Sequence, residues 1–292
     1  MNQYKRRGRK QNVMIIIGIL FILVGCIMVY WNVSYSPYKS RFIKQMKNHV
    51  NNISTNDLSG LGDITNLPEP LQRYYRYIGF DKPTEYRAIN VNFRNTRFVF
   101  DANRGNILNM DYDLWLCYNQ PSRFAYCTSS MFGIPFDGID YCTEGKMGGM
   151  KGILGKTVQI FDVKDEQGYK AALISWIAES VAFNPSVLLS PYITYESIDS
   201  NHVVATVNYN GVTGSGIFTI NDDGAITEFY SKERQVEDVN GKKDFVGWRC
   251  EYNGYADKNG QKSISEVRCI KVFPDKEVCY FASDNFQVEC YE

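Results

Sequence analysis

The chain has 292 residues with 32 basic and 32 acidic side chains, so its formal net charge is zero. The charge is unevenly spread: all 32 acidic residues but only 27 basic ones follow Trp31, which gives that part a formal charge of −5. Such a surface, with no interleaving of basic and aromatic residues, argues against a nucleic-acid partner. The 21 Tyr and 17 Phe with only 9 Pro suit long antiparallel strands.

The first element is an apolar run from Val13 to Trp31, preceded by Lys5, Arg6, Arg7, Arg9 and Lys10. As a helix it would rise about 28 Å, close to the thickness of a bilayer's hydrocarbon core. The tight basic block outweighs Lys39, Arg41, Lys44 and Lys47 beyond the run. The expected topology is therefore single-pass in the cell membrane, with the N-terminus cytoplasmic and the rest outside. Met28–Trp31 lacks the small residues of a signal-peptidase site. Leu23-Val24-Gly25-Cys26 has the form of a bacterial lipobox, so lipidation at Cys26 is the alternative; the continued apolar run from Ile27 to Trp31 speaks against it. Four segments result: a basic N-terminus (1–12), a transmembrane anchor (13–31), a juxtamembrane helix and linker (32–66), and an extracytoplasmic β-rich domain (67–292).

Ser36-Pro37 reads as an N-cap with proline at the first helical position. Phe42, Ile43, Met46, Val50 and Ile53 then recur at helical spacing, predicting a helix that lies on or near the headgroups. Asn51–Asn66, rich in Asn, Ser, Gly and Asp, reads as a linker. A short helix follows over Leu67–Ile78, with Leu71, Tyr74, Tyr75 and Ile78 on one face and Gly79 placed to end it. From Ala88 the period becomes two, and strands are expected to about Val163. One helix interrupts them at roughly Tyr169–Phe183; Leu173, Ile174, Trp176, Ile177, Val181 and Phe183 leave it apolar over most of its circumference, so it should be buried. Strands resume after Pro191, including Val203–Tyr209, Gly216–Ile220 and Ile226–Tyr230. The expected fold is mainly β: a curved antiparallel sheet or half-barrel around one apolar helix.

Seven cysteines follow the anchor: Cys117, Cys127, Cys142, Cys250, Cys269, Cys279 and Cys290. Cys250 and Cys269 are equidistant from Asn259-Gly260, Cys269 and Cys279 from Pro274, and Cys279 and Cys290 from Asp284-Asn285. Hairpins at these three points would set the last four side by side across four strands, with Cys117, Cys127 and Cys142 similarly placed over three. Such a row is too wide for a tetrahedral metal shell. Small buried hydrophobes are the first reading and cross-strand disulfides the second.

Catalytic motifs are not found. His49 and His202 form no zinc-protease pair, and Gly214-Ser215-Gly216 is no nucleophile elbow. Gly148–Thr157 misses the phosphate-loop spacing, since the first required glycine falls on Met150. Acid pairs such as Asp111/Asp113, Asp137/Asp140 and Asp162/Asp165 suit solvated edges and turns. Glu179, on the apolar helix, must be paired or reach solvent. No cofactor or metal is expected, and the chain reads as non-enzymatic.

Leu67-Pro-Glu-Pro-Leu-Gln-Arg-Tyr-Tyr-Arg-Tyr-Ile-Gly79 resembles the entry motif of an uncharacterised family of bacterial membrane-anchored proteins. Met150–Gly155, Gln167-Gly168 through Ile177-Ala178-Glu179, and Pro185 with Leu188, Leu189 and Tyr192–Tyr195 extend the likeness over about residues 36–292. Tyr195 replaces an expected Trp, and Ser265 a common proline. The family carries no established activity; its architecture resembles half-barrel lipid carriers of lipoprotein-sorting type, an analogy of fold alone. It implies a membrane-tethered domain that holds a lipid or other apolar ligand; Trp176, Phe183 and Leu188 on and after the apolar helix are the candidates for its lining, with plain core packing as the other reading of each. The alternatives are a structural or partner-binding envelope protein with a filled core, and an enzyme with an unrecognised site.

Overall fold

The computed structural model describes residues 2–53, 61–80, 82–84, 86–101, 105–118, 120–143, 146–237, 243–258 and 260–292. Of the linker expected at 51–66, residues 54–60 lie outside these residues, Asn51 and Asn52 end the preceding helix, and Ile64–Asn66 form a single 3-10 turn. Helix α1 (Asn2–Asn32) contains the apolar run, and none of the window long and apolar enough to cross a membrane is buried in the protein. Its end meets the domain at one turn, where the Lys156 ammonium donates to the carbonyls of Tyr30 and Val33.

Ser36 caps α2 (Pro37–Asn52) by accepting from the Lys39 N–H, as its sequence predicts. The apolar stripe of α2 does not face headgroups. Phe42, Met46 and Val50 are buried, with Phe42 against Tyr126 at 5.4 Å and His49 edge-on to Phe124 at 5.5 Å. The sheet takes this stripe because it offers a complementary apolar face and a polar anchor. That anchor is Ser36 Oγ donating to the buried Asp137 carboxylate at 3.1 Å, with Lys39 paired to Asp113 at 3.2 Å. Helix α3 (Glu69–Ile78) ends where Gly79 adopts φ +66° and its N–H closes the last turn. A side chain there would come within 2.4 Å of the Gly260 carbonyl, so the motif's final glycine is required by space as well as by backbone conformation.

The sheet begins with β1 (Ala88–Asp101), β2 (Asn106–Cys117), β3 (Ser122–Met131), β4 (Ile134–Thr143), β5 (Met147–Leu154) and β6 (Val158–Asp165), a meander in sequence order. Helix α4 (Glu166–Phe183) follows, then β7 (Ile193–Ser197), β8 (His202–Tyr209), β9 (Val212–Ile220) and β10 (Ile226–Ser231). Two small hairpins branch off: β11 (Gln235–Glu237) with β12 (Lys243–Phe245), and β14 (Ala256–Lys258) with β15 (Gln261–Ser263). Between and after them run β13 (Gly247–Asn253), β16 (Glu266–Val272), β17 (Glu277–Ser283) and β18 (Phe286–Tyr291). The order across the main sheet is β6-β5-β4-β3-β2-β1-β17-β16-β13-β10-β9-β8-β7, with β18 also on β1 and antiparallel pairing throughout. The sheet curls through 263°, giving the expected mainly-β half-barrel around one helix.

Helix α4 lies inside the curl and touches β3, β4, β5, β6, β8, β9 and β13. Asp165 caps it by accepting from the Gly168 N–H at 2.7 Å, so it starts three residues earlier than its apolar pattern suggests. Its first turn rests backbone to backbone on β5: a Cβ on Gly168 would lie 2.1 Å from the Gly148 carbonyl oxygen. Eleven of its residues, from Tyr169 to Ala182, are buried. The sheet is therefore covered on both faces around β3, by α4 inside and α2 outside.

The cysteine row holds at one pair only. Cys250 and Cys269 are direct cross-strand partners, as their spacing predicts. Cys279 pairs with Ile270, and a bulge then sets Cys269 opposite Phe281, so a one-residue slip moves Cys279 off the row. No hairpin forms at Asp284-Asn285. β17 and β18 follow β1 in one register, Phe98↔Phe281 through Phe93↔Phe286 to Ala88↔Tyr291, with the Arg94 N–H bonded to the Asn285 carbonyl. Cys279 and Cys290 thus lie along one extended path. Cys117, Cys127 and Cys142 face Ser122, Gly138 and Gly148 rather than one another.

Candidate functional site

The inner face of the half-barrel is built by alternation. On β1, Ile89, Val91 and Phe93 point inward; their partners Leu116, Leu114 and Tyr112 do the same on β2, followed by Arg123, Ala125 and Cys127 on β3. From β13, Trp248, Cys250 and Tyr252 project inward and are almost completely buried. Two hydrogen bonds fasten α4 to this face from opposite sides: Trp176 Nε1 donates to the Cys117 carbonyl at 2.8 Å, and Tyr252 Oη donates to the Ala178 carbonyl at 2.8 Å.

Glu179 finds its partner in Arg123. The guanidinium donates from Nε at 2.5 Å and from Nη2 at 3.0 Å to the two carboxylate oxygens, and from Nη1 at 3.0 Å to Asp140. Arg123 Nη2 also donates to Tyr112 Oη at 2.6 Å, and that hydroxyl donates to Asp140 at 3.2 Å. Burial pushes the Tyr112 hydroxyl well above the usual range for tyrosine, so it stays a donor. Every strong donor and acceptor here has a match, which is the condition for holding charge inside a sheet. The internal ion pair expected for Glu179 is what the structure contains.

Trp176 and Leu188 have no exposed surface. The former is fixed by its indole bond, and the Leu188 carbonyl accepts from Tyr195 Oη at 2.8 Å. Phe183 is only partly buried and ends α4 within an aromatic cluster: its ring lies 5.8 Å from Phe93 and 5.2 Å from Phe286. The cluster continues from Phe93 to Phe281 at 5.2 Å and from Phe281 to Tyr112 at 5.6 Å. Of the three expected lining residues, Phe183 alone keeps exposed surface. An open depression of about 420 Å³ is lined, among the described residues, by Gln120, Lys146, Tyr209 and Asn210, and none of the three residues borders it.

Four residues that sequence reasoning did not single out form a second inner cluster: Arg234, Trp248, Lys271 and Tyr280. They come from a loop and three strands that become neighbours only through the sheet order. Among the described residues no group of three or more His, Cys, Asp or Glu is placed to hold a metal ion.

These features define an antiparallel half-barrel that encloses one helix and is preceded by a long, unburied apolar helix. The chain belongs to a family of unknown function, DUF6544, whose model matches residues 58–283. No curated protein matches it. Among solved structures, it is similar to a LolA-superfamily protein from Nitrosomonas europaea, at 9% identity and TM-score 0.34 over 76% of this chain and 94% of that one. A putative outer-membrane lipoprotein-sorting protein domain from Vibrio parahaemolyticus gives 8% identity and TM-score 0.34 over 78% and 93%. A DUF1329-family protein from Desulfovibrio piger gives 8% and 0.33 over 75% and 90%.

Proposed function

We propose that this protein is a membrane-tethered, extracytoplasmic, non-catalytic domain whose concave sheet, closed by α4, receives a lipid or other apolar ligand. The observation that carries this reading is the aromatic inner surface at the end of α4, where Phe183 and Phe286 remain partly exposed beside Phe93 and Phe281. An acyl chain laid there gains about 0.8 kcal/mol per buried methylene without any catalytic group. In this reading Phe183 is the contact made first, and Trp176 and Leu188 line the path once α4 shifts.

Helix α1 is the single-pass anchor, with the cytoplasm on its N-terminal side. Cys26 lies exposed within continuous helix, so the anchor is read as uncleaved and lipidation at Cys26 as the alternative. The adjacent β3–β4 tip supports the placement: Phe132 there is 97% exposed, and the neighbouring β5–β6 turn holds the end of α1 through Lys156. Exposed aromatic surface next to a membrane exit suits contact with headgroups.

A filled-core structural or partner-binding role is the second reading, favoured by the complete burial of Trp176 and Leu188. Native mass spectrometry of the full-length chain released from detergent separates the two. One lipid retained per chain at activation energies that strip annular lipid supports the binding role; a lipid-free, folded chain supports the filled core.

A further inference from the structure

Arg234 stacks its guanidinium over the buried Trp248 ring, 4.6 Å from the centroid. Its Nη1 donates to Tyr280 Oη at 3.1 Å, and Trp248 Nε1 donates to the same oxygen at 2.9 Å. A phenolic oxygen receiving two hydrogen bonds has its acceptor capacity filled, so its own proton must be given to a third group. Among the described residues that group is absent. Arg234 Nε is likewise buried with no acceptor among the described residues. Lys271 Nζ stands 5.1 Å from the centre of the Tyr280 ring. Two donors, Arg234 Nε and the Tyr280 hydroxyl, thus lack an acceptor among the described residues, and the Lys271 ammonium stands over the same tyrosine ring.

Among the described residues, the nearby carboxylates do not supply it. Glu179 has both oxygens bonded to Arg123, and Asp140 accepts from Arg123 and Tyr112. Among the described residues, Arg123, Arg234 and Lys271 thus stand against these two acids. A buried donor left unsatisfied is destabilising, and a bound oxyanion would satisfy it. Arg234, Lys271 and Tyr280 each keep some exposed surface, from which a ligand can approach the buried Arg234 Nε. The loop after β10 and the β16–β17 turn lie at the same strand ends as the β3–β4 and β5–β6 tips.

We infer that Arg234, Lys271 and the Tyr280 hydroxyl form a binding site for a phosphate oxyanion, carried as the headgroup of an anionic amphiphile whose chains lie along the aromatic inner face. This inference deepens the lipid-binding reading and rests on it. Arg234 supplies a flat, oriented donor pair, Lys271 a point charge, and Tyr280 a hydroxyl proton already turned away from its other partners.

The test is calorimetric titration of the full-length chain in phosphatidylcholine nanodiscs with dihexanoyl phosphatidic acid, dihexanoyl phosphatidylcholine and inorganic phosphate. Phosphatidic acid is expected to bind at least about tenfold more tightly than phosphatidylcholine. Arg234→Gln and Lys271→Gln should each erase that preference by bringing phosphatidic acid down to the affinity of phosphatidylcholine. Equal affinity for the two lipids in the wild type overturns the oxyanion site and leaves lipid binding standing. Phosphate binding that depends on Arg234, with no lipid bound, upholds the site, assigns it to the free anion and overturns the lipid reading. Binding of none of the three overturns both. Melting temperatures of the Gln variants no lower than that of the wild type, and partial recovery of the preference in Arg234→Lys, distinguish a lost site from a lost fold.

Discussion

Replacing Arg123 by Met tests how α4 is held. The side chains of Arg123 and Glu179 are 9% and 10% exposed, and the pair is bidentate. Removing the cation leaves Glu179 inside the sheet with neither of its two strong hydrogen bonds, and Asp140 with one partner fewer. Breaking a buried pair from one side costs about 3–5 kcal/mol. For a domain of this size each kcal/mol lowers Tm by about 2–4 °C, so Arg123→Met should melt about 6–20 °C below the wild type. The Arg123→Met/Glu179→Leu double variant should recover most of that loss, because two apolar chains of similar volume replace the ion pair and Asp140, 31% exposed, can turn to water. Thermal melts of the three variants and the wild type complete a mutant cycle, with an expected coupling of at least about 2 kcal/mol. A cost below about 1 kcal/mol for Arg123→Met is the signature of a solvated surface pair. That result would refute the docked position of α4.

Burial, and secondarily Arg234, push the Lys271 ammonium down to about 8 from 10.5. The unfolded chain therefore holds more protons than the folded one between these values, and stability should rise with pH through that window. Lys271→Met should be more stable than wild type at pH 7, by at most about 3 kcal/mol, with the difference gone near the upper value; equal stability of the two proteins at pH 7 would show Lys271 fully hydrated. Gly168→Val should lower Tm by displacing the first turn of α4 from Gly148, where a Cβ already meets backbone at 2.1 Å; an unchanged Tm would show that the helix does not rest on β5. Burial raises the Cys250 thiol well above its usual range, so in intact membrane vesicles with the domain outward an impermeant maleimide should label exposed Cys290 and spare Cys250 and Cys269 until the protein is unfolded. Bimane attached at Phe132→Cys should emit further to the blue in anionic nanodiscs than in detergent; equal emission would place the β3–β4 tip in water.

The fold was legible wherever one local signal decided the matter. Ser36-Pro37 and Gly79 mark helix ends through chemistry that acts within one turn, and the all-round apolar character of Leu173–Val181 required a helix enclosed by something else. Asp284-Asn285 misled because turn-forming residues permit a reversal without demanding one, and six further pairings with β1 reward a strand that continues. Glu179 announced that it needed a partner, but nothing near it in sequence named Arg123, which lies 56 positions away. The Arg234 cluster was illegible for the same reason: its members sit on elements that only the β17-β16-β13-β10 order makes adjacent. Helix α2 was placed correctly along the chain, yet amphipathicity alone could not tell a lipid surface from the outer face of the sheet.

The central claim is that the inner face beside α4 takes lipid while the chain is anchored in a membrane. Its most direct test places the photoreactive residue benzoylphenylalanine at Phe183, with a second chain carrying it at exposed Thr194 as control, followed by irradiation in native membranes and mass spectrometry. The account predicts a lipid adduct at 183 and none at 194. Crosslinks at 183 that reach only the protein's own Phe93 or Phe286 would contradict it and establish a filled core.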